Sequence, residues 1–289
     1  MDAPLDELLK VLDLEQIEDN IFRGESPKTP RQRIFGGQVA GQALVAAGRT
    51  VPPERAVHSL HAYFLRPGDP TIPVIFEVDR IRDGRSFTTR RVVAIQRGKV
   101  IFNLSASFQI AEEGMTHADP MPPAPDPESL PTFETSIEAL APDSARRFGG
   151  AMSIDLRFVT RPPWSTDRDP DPPGSPIQVW MRADGRLPDD PLLHVCAVTY
   201  CSDMTLLNAV VGGHGVSWWE DEVALASLDH AMWFHRQFRA DEWFLYAHRS
   251  PAAQGGRGLA TGQIFTHDGH LAVSVVQEGL ARLPRPPVA

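Results

Sequence analysis

Three polar residues lie where the surrounding sequence is apolar, and their side chains together could activate water. Asp203 stands between two apolar runs, Leu192 to Tyr200 and Met204 to Val211, the second broken only by Thr205 and Asn208. The pattern reads as a strand ending at Tyr200, followed by a buried helix from Met204 that Gly212-Gly213 stops. Ser202-Asp203 then offers a side-chain oxygen to the unpaired N–H groups of the first helical turn. Gln277 interrupts the apolar strand Leu271 to Val276, where a buried amide needs partners. Ser227 lies near a strand start. Taken singly, these are a helix cap, an exposed strand end and an ordinary serine. Taken together, a carboxylate can accept a proton from water while a hydroxyl and an amide hold that water in place.

Other chemistries find little support. No Gly-x-Ser-x-Gly elbow occurs, which argues against a covalent serine route. The only cysteines, Cys196 and Cys201, form neither a disulfide framework nor a zinc pattern, and they read as reduced thiols of a cytosolic protein. His214, His230 and His235 lack metal spacing with a carboxylate or Cys, so neither a metal nor a cofactor is expected. Gly255-Gly-Arg-Gly258 lacks dinucleotide-binding spacing and reads as a bulge near a ligand phosphate or as a plain loop.

The elements that must position the three residues follow from length and periodicity. With 289 residues, the chain is long enough for two domains of about 150 residues each. The net charge of −9 gives no reason to expect nucleic acid, although Arg80, Arg82, Arg90 and Arg91 leave an anionic small ligand open. The N-terminus has no secretory pattern, and no run of about 18 apolar residues predicts a membrane span. Pro4 to Glu18 reads as an amphipathic helix, Ile21 to Gly24 as a strand, and Gln38 to Ala47 as a helix of small residues that lets other backbone approach. Four strands follow, Val57 to Leu65, Val74 to Asp83, Ser86 to Gln96 and Val100 to Gln109, read as an antiparallel meander. Asp119 to Pro131 is a proline-rich linker, with a short helix predicted over Ser136 to Arg147. Further strands are predicted at Ile154 to Arg161 and Ile177 to Ala183. A second meander is predicted over Ala224 to His235, Trp243 to Ser250, Arg257 to Thr266 and His270 to Arg282.

The order of one helix and four strands thus occurs twice. Phe-x-Arg ends the first strand of each set, with Phe64 and Phe234 separated by 170 positions. The last hairpins carry Gly98 and Gly269, separated by 171. Nearly constant separation over such a span indicates duplication. Aligning the copies sets Ser227 against Val57, Gln277 against Ala106 and, through the helices, Asp203 against Gly37. One copy keeps three polar groups where the other keeps small or apolar ones.

Several stretches carry a family resemblance. They are Arg33-Ile-Phe-Gly-Gly-Gln-Val-Ala-Gly-Gln-Ala43, Val57-His-Ser-Leu-His-Ala-Tyr-Phe-Leu-Arg-Pro-Gly68, Asp83-Gly-Arg-Ser-Phe87, Asp229-His-Ala-Met-Trp-Phe-His-Arg236 and Val276-Gln-Glu-Gly279. In these the chain resembles the acyl-CoA thioesterase II family. The resemblance implies an α+β fold of two fused hotdog domains, each an antiparallel sheet wrapped around a central helix. With it go the divisions 1–115, a linker over 116–150, and 151–289. It implies hydrolysis of fatty acyl-CoA to fatty acid and CoA by an Asp, Ser/Thr and Gln set, which carries over to Asp203, Ser227 and Gln277. This chain has Ser where some members have Thr, and both supply a hydroxyl. His58 lies in a matched stretch and is a supporting candidate. A homo-oligomer is expected because the outer faces of hotdog sheets often pair. The alternatives are an acyl-CoA binding protein without turnover, or a hotdog dehydratase, which needs an Asp–His pair. An Asp at a helix N-terminus would have a lowered pKa and be a weak base.

Overall fold

The computed structural model describes residues 4–27, 32–140, 153–162, 172–212, 214 and 223–283. The chain opens with helix α1 (Pro4–Leu12), then strands β1 (Glu15–Glu18) and β2 (Ile21–Gly24), so the predicted N-terminal helix is shorter and a strand follows it. Helix α2 (Gly36–Gly48) precedes β3 (Arg55–Phe64), β4 (Val74–Asp83), β5 (Phe87–Gln96) and β6 (Lys99–Ile110). A single 3-10 turn, Pro127–Ser129, and helix α3 (Phe133–Leu140) lie in the proline-rich region, and the rest of the predicted helix there falls outside the described residues. The second half holds β7 (Ile154–Phe158), β8 (Ile177–Ala183), α4 (Pro191–Ser202), a short helix α5 (Asn208–Val211), β9 (Ala224–Ser227), β10 (Asp229–Phe234), β11 (Phe244–Gln254), β12 (Arg257–Thr266) and β13 (Leu271–Arg282).

Leu192 to Tyr200, read above as a strand, is helical, and this is the main correction. Asp190 caps the helix through a hydrogen bond from the Leu192 N–H at 3.0 Å, and Pro191 occupies the first turn, where its missing N–H costs nothing. Most of α4 is buried, including Cys196, Ala197 and Val198, so its sequence has no polar stripe to betray a helical period. The helix expected from Met204 shrinks to one turn at Asn208.

Every residue of α2 from Gly37 to Ala47 is buried. Its small side chains admit the backbone of α4: a Cβ on Gly37 would lie 2.0 Å from the Tyr200 carbonyl, and one on Gly41 would lie 3.2 Å from that of Cys196. Two central helices therefore pack backbone to backbone inside one continuous sheet.

Among the described residues the sheet has thirteen strands in the order β1-β2-β4-β5-β6-β3-β10-β13-β12-β11-β8-β7, with β9 also pairing β13. Neither set of four is a simple meander, because β3 returns beside β6 and β10 beside β13. The halves join where β3 meets β10, with Tyr63 opposite Asp229 and Ser59 opposite Trp233. Register supports the strand alignment of the two copies. Val57 faces Phe108 as Ser227 faces Gly279, and pairing is interrupted at the next residue, His58 or Leu228, in both. The helix alignment was wrong: the C-cap residues are Arg49 for α2 and Asp203 for α4, so Asp203 corresponds to Arg49 and not to Gly37.

The proline-rich segment is docked, not loose. Trp180 Nε1 donates to the Pro125 carbonyl at 2.9 Å, Trp243 Nε1 to Glu128 at 3.0 Å, and Gln263 to Asp119 at 2.7 Å. Met121, Ala124 and Leu130 pack on a cluster of Trp180, Trp243, Leu245, Phe265 and Leu271. Proline costs little here because the segment pairs with no strand.

Gly37→Ala should destabilise the protein by about 1–3 kcal/mol, since the contact it creates is with backbone that cannot rotate away. Gly114→Ala, which meets nothing within 4 Å, should change stability by less than about 0.5 kcal/mol. Denaturant midpoints of the two variants provide the comparison.

Candidate active site

Asp203 lies at the C-terminal end of α4, where the helix releases the chain. The close packing of the two helices carries its carboxylate to the opposite end of α2. The Gly37 N–H hydrogen-bonds to it, and Oδ2 lies 2.5 Å from where a Cβ on Gly36 would be. Phe35, the residue preceding α2, caps no N–H with its own side chain. Asp203 thus serves as the cap of a helix from the other half of the chain. The expectation that it caps its own helix is corrected in this form: the geometry is that of an N-cap, and the capped helix is α2.

The other two residues converge on the same oxygen. Ser227 Oγ donates to Asp203 Oδ1 at 2.9 Å, and Gln277 Nε2 donates to it at 2.6 Å. Ser227 ends β9, and Gln277 lies on the neighbouring strand β13. The break at Leu228 is closed by Asp229, whose Oδ1 accepts the Glu278 N–H at 2.7 Å. Gln277 is fully buried, and its Oε1 has no hydrogen-bond partner among the described residues. A buried amide oxygen left open beside a carboxylate is an acceptor for a molecule that enters the site.

Burial pushes the Asp203 carboxyl above the ordinary carboxylate range, while the hydrogen bonds from Gln277, Ser227 and Gly37 pull it back. Part of the burial comes from Phe64 of β3. A Cβ on Gly36 would lie 2.9 Å from the Phe64 ring, which places the ring beside Oδ2. The weak base expected of a helix cap is therefore a stronger one, because desolvation outweighs the donors.

His58 does not join this group. Its Nε2 bonds Ser107 Oγ at 2.8 Å, and its ring stands edge-on to Phe87. Phe64, whose N–H bonds the Leu228 carbonyl, lies six residues further along β3, about 20 Å at strand rise. Among the described residues no imidazole hydrogen-bonds Asp203, and His230 bonds Ser202 instead. Three of the four arginines left open for an anion have internal partners. Arg90 bonds Asp83 at 2.7 Å, Arg91 bonds Asp79 at 2.6 Å, and Arg80 bonds Asn20 at 2.8 Å. Gly255 and Gly256, both at positive φ, form the plain hairpin turn between β11 and β12. Among the described residues no cluster of His, Cys, Asp and Glu could hold a metal ion.

Sequence reasoning missed Gly36, Gly37 and Phe64 as parts of the site. The Gly-Gly pair before a helix of small residues was the available signal, since two glycines there permit a close approach from outside.

Comparison with known proteins bears on the fold and the family. The sequence model described as "Acyl-CoA thioesterase" matches residues 157–280, and that of the "Acyl-CoA thioesterase N-terminal domain" matches residues 25–109. Human acyl-coenzyme A thioesterase 8 is 41% identical over 286 residues, covering 94% of this chain and 88% of its own. Acyl-CoA thioesterase 2 of Haemophilus influenzae is 37% identical, covering 96% and 98%. The crystal structure of acyl-CoA thioesterase II TesB2 from Mycobacterium marinum is 50% identical, with a TM-score of 0.79 over 96% of this chain and 98% of that one. A hot dog protein from Alicyclobacillus acidocaldarius has a TM-score of 0.75 at 20% identity, covering 96% and 98%, which bears on fold alone. The fold is a double hotdog, two sheet-and-helix units fused in one chain. Within that class the chain belongs to the acyl-CoA thioesterase II family.

Gly36→Ala should leave the fold intact and push the Asp203 carboxylate from its seat. Displacement of about 1 Å can cost up to about a hundredfold in rate. Steady-state thioester hydrolysis at matched folded fraction checks this, and an unchanged kcat would contradict the placement of Oδ2.

Proposed function

We propose that this chain hydrolyses fatty acyl-CoA to fatty acid and CoA, with Asp203 as general base and Ser227 and Gln277 ordering the carboxylate and the attacking water. Family membership supports the reaction class, thioester hydrolysis. The observation that carries the residue assignment is the convergence of Ser227 and Gln277 on one oxygen of a buried carboxylate. With Oδ1 accepting both donors, Oδ2 remains to take a proton from water. The water oxygen bonds to the thioester carbonyl carbon, and its proton passes to Asp203. The open Oε1 of Gln277 accepts the water's other hydrogen and so orients its lone pair. When the carbon–sulfur bond breaks, the proton held by Asp203 returns to the departing CoA sulfur, which leaves the carboxylate ready for another turnover.

A dehydratase needs an imidazole beside the carboxylate, and the recorded partners of Asp203 are Gln277, Ser227 and Gly37. A binding protein would have no use for a base held at raised pKa. We also assign the chain to a reducing compartment, the cytosol, on the strength of two buried free thiols. The expected homo-oligomer, and the division into 1–115, 116–150 and 151–289, belong to this reading. No helix among the described residues is long and apolar enough to cross a membrane.

Release of free thiol from acyl-CoAs of two to sixteen carbons tests the assignment. Asp203→Asn should lower kcat by about 10²–10⁴, the usual contribution of a general base, with acyl-CoA binding retained. Full activity in that variant would place the base elsewhere. The acidic limb of kcat/KM should lie above the ordinary Asp value of about 3.9, because activity appears only as the raised carboxyl ionises. Gln277→Leu removes a donor to the ionised form, so it should move that limb to still higher pH. A limb that stays in place would separate Gln277 from Asp203.

A further inference from the structure

Behind Asp203, the last residue of α4 is gripped from two strands. Ser202 is fully buried. Its Oγ donates to the Thr199 carbonyl at 2.9 Å, one turn back in the helix. A hydroxyl has one proton, so the 2.9 Å contact between Ser202 Oγ and His230 Nε2 is one in which the imidazole donates. The Ser202 carbonyl, one of the last four that a helix cannot satisfy internally, accepts from the Tyr246 hydroxyl at 3.2 Å. His230 comes from β10 and Tyr246 from β11, and both are buried. Room for the Tyr246 ring is supplied by Gly262 of β12, where a Cβ would lie 2.4 Å from the ring. The His248 ring lies beside it at 4.7 Å between centroids.

We propose that His230 and Tyr246 are positioning residues for the reaction: by clamping the side chain and carbonyl of Ser202, they fix where the adjacent Asp203 carboxylate meets Ser227, Gln277 and α2. Neither His230 nor Tyr246 hydrogen-bonds Asp203, whose partners are Gln277, Ser227 and Gly37, so both act through residue 202. The clamp explains why the chain can turn sharply out of α4 and still present Asp203 in one place. Four strands then share in aiming one side chain: β10 and β11 hold Ser202, while β9 and β13 supply Ser227 and Gln277. His230 is suited to this work because burial lowers its pKa to about 4, so it stays neutral near neutral pH. The inference rests on the assignment of Asp203 as base.

The test uses Tyr246→Phe, which removes one oxygen and leaves the ring, and Gly262→Ala, which shifts the ring and leaves the oxygen. Both should lower kcat about tenfold or more with KM within about twofold, as expected of a base held slightly out of place. Both should also displace the acidic limb of the pH profile. His230→Leu should do the same, and His230→Gln, which restores a donor near the Nε2 position, should recover part of the loss. Melting temperatures are measured alongside. A fall in melting temperature with kcat and pH limb unchanged at a permissive temperature would make these residues structural only and overturn the inference. If Asp203→Asn is inactive while all four variants match wild type, the clamp is refuted and the base assignment survives. If Asp203→Asn is active, both fall together.

Discussion

The contact on which the rest depends is the approach of the Gly37 end of α2 to the Tyr200 end of α4, close enough that even one methyl group would strike a backbone oxygen. That approach puts the C-terminus of one helix against the N-terminus of the other. The partial charges at the two ends are opposite, so the ends attract, and an acidic side chain leaving α4 finds the Gly37 N–H ahead of it. Asp203 fills that position. It has the wrong sign for the helix that carries it and the right sign for the helix it meets. The two dipoles therefore offset, and burial decides the balance: the carboxyl rises above its ordinary range despite three donors. A cap made within one helix would have been ionised and inert. A cap made between two helices, inside the continuous sheet and beside the Phe64 ring, has its carboxyl raised toward the range that a general base needs.

The strands were legible in the sequence and the central helix was not, for one physical reason. Strands β4, β8 and β12 fall where alternation and turn residues put them, and the Arg97-Gly98 hairpin shows the two positive φ values that its sequence suggests. Each has a buried and a partly exposed side, so periodicity survives in its composition. Helix α4 is enclosed by α2 and the sheet, so an apolar run there has no period, and Val195, Val198 and Thr199 favour a strand reading. Pro191 after Asp190 was the overlooked start signal. The error propagated: with α4 read as a strand, the turn at Asp203 became a helix start, and the two helices were aligned on the wrong ends.

The site was more legible than the fold that makes it. Ser227 and Gln277 stood out by comparing the copies, and strand register bears that comparison out. Asp203 was chosen partly through a helix alignment that fails, yet it meets the residue it was aligned with, Gly37, in space. That agreement is physical and not a matter of descent. His58 shows the limit of reasoning from motifs, since it belongs to a matched stretch and its partner is Ser107. What no pattern could supply is the contribution of the first half, because Gly36 and Phe64 act only through the distance between chain segments far apart in sequence.

A duplicated chain offers two such helix junctions, and the second lacks the polar set that the first gathers around Asp203. At the other end of the helix pair, the C-terminus of α2 meets the N-terminus of α4, and a Cβ on Gly48 would lie 2.5 Å from the Leu192 side chain. The residue corresponding to Asp203 is Arg49, whose guanidinium turns away to Asp13 at 2.8 Å. Val57 and Ala106 stand where Ser227 and Gln277 stand in the second copy. Nearby, the fully buried Arg90 spends its donors on Thr50, Asp83 and the carbonyls of Arg82 and Thr89. A base there would need a carboxylate, and a carboxylate at that end would meet Leu192 at the start of a helix that Asp190 already caps. The cap on α4 comes from its own chain, which leaves its N-terminus satisfied and that junction apolar. The missing cap on α2 is what makes room for Asp203. A single difference, whether a helix supplies its own cap, thus separates the junction filled by Leu192 from the junction that holds a buried carboxylate.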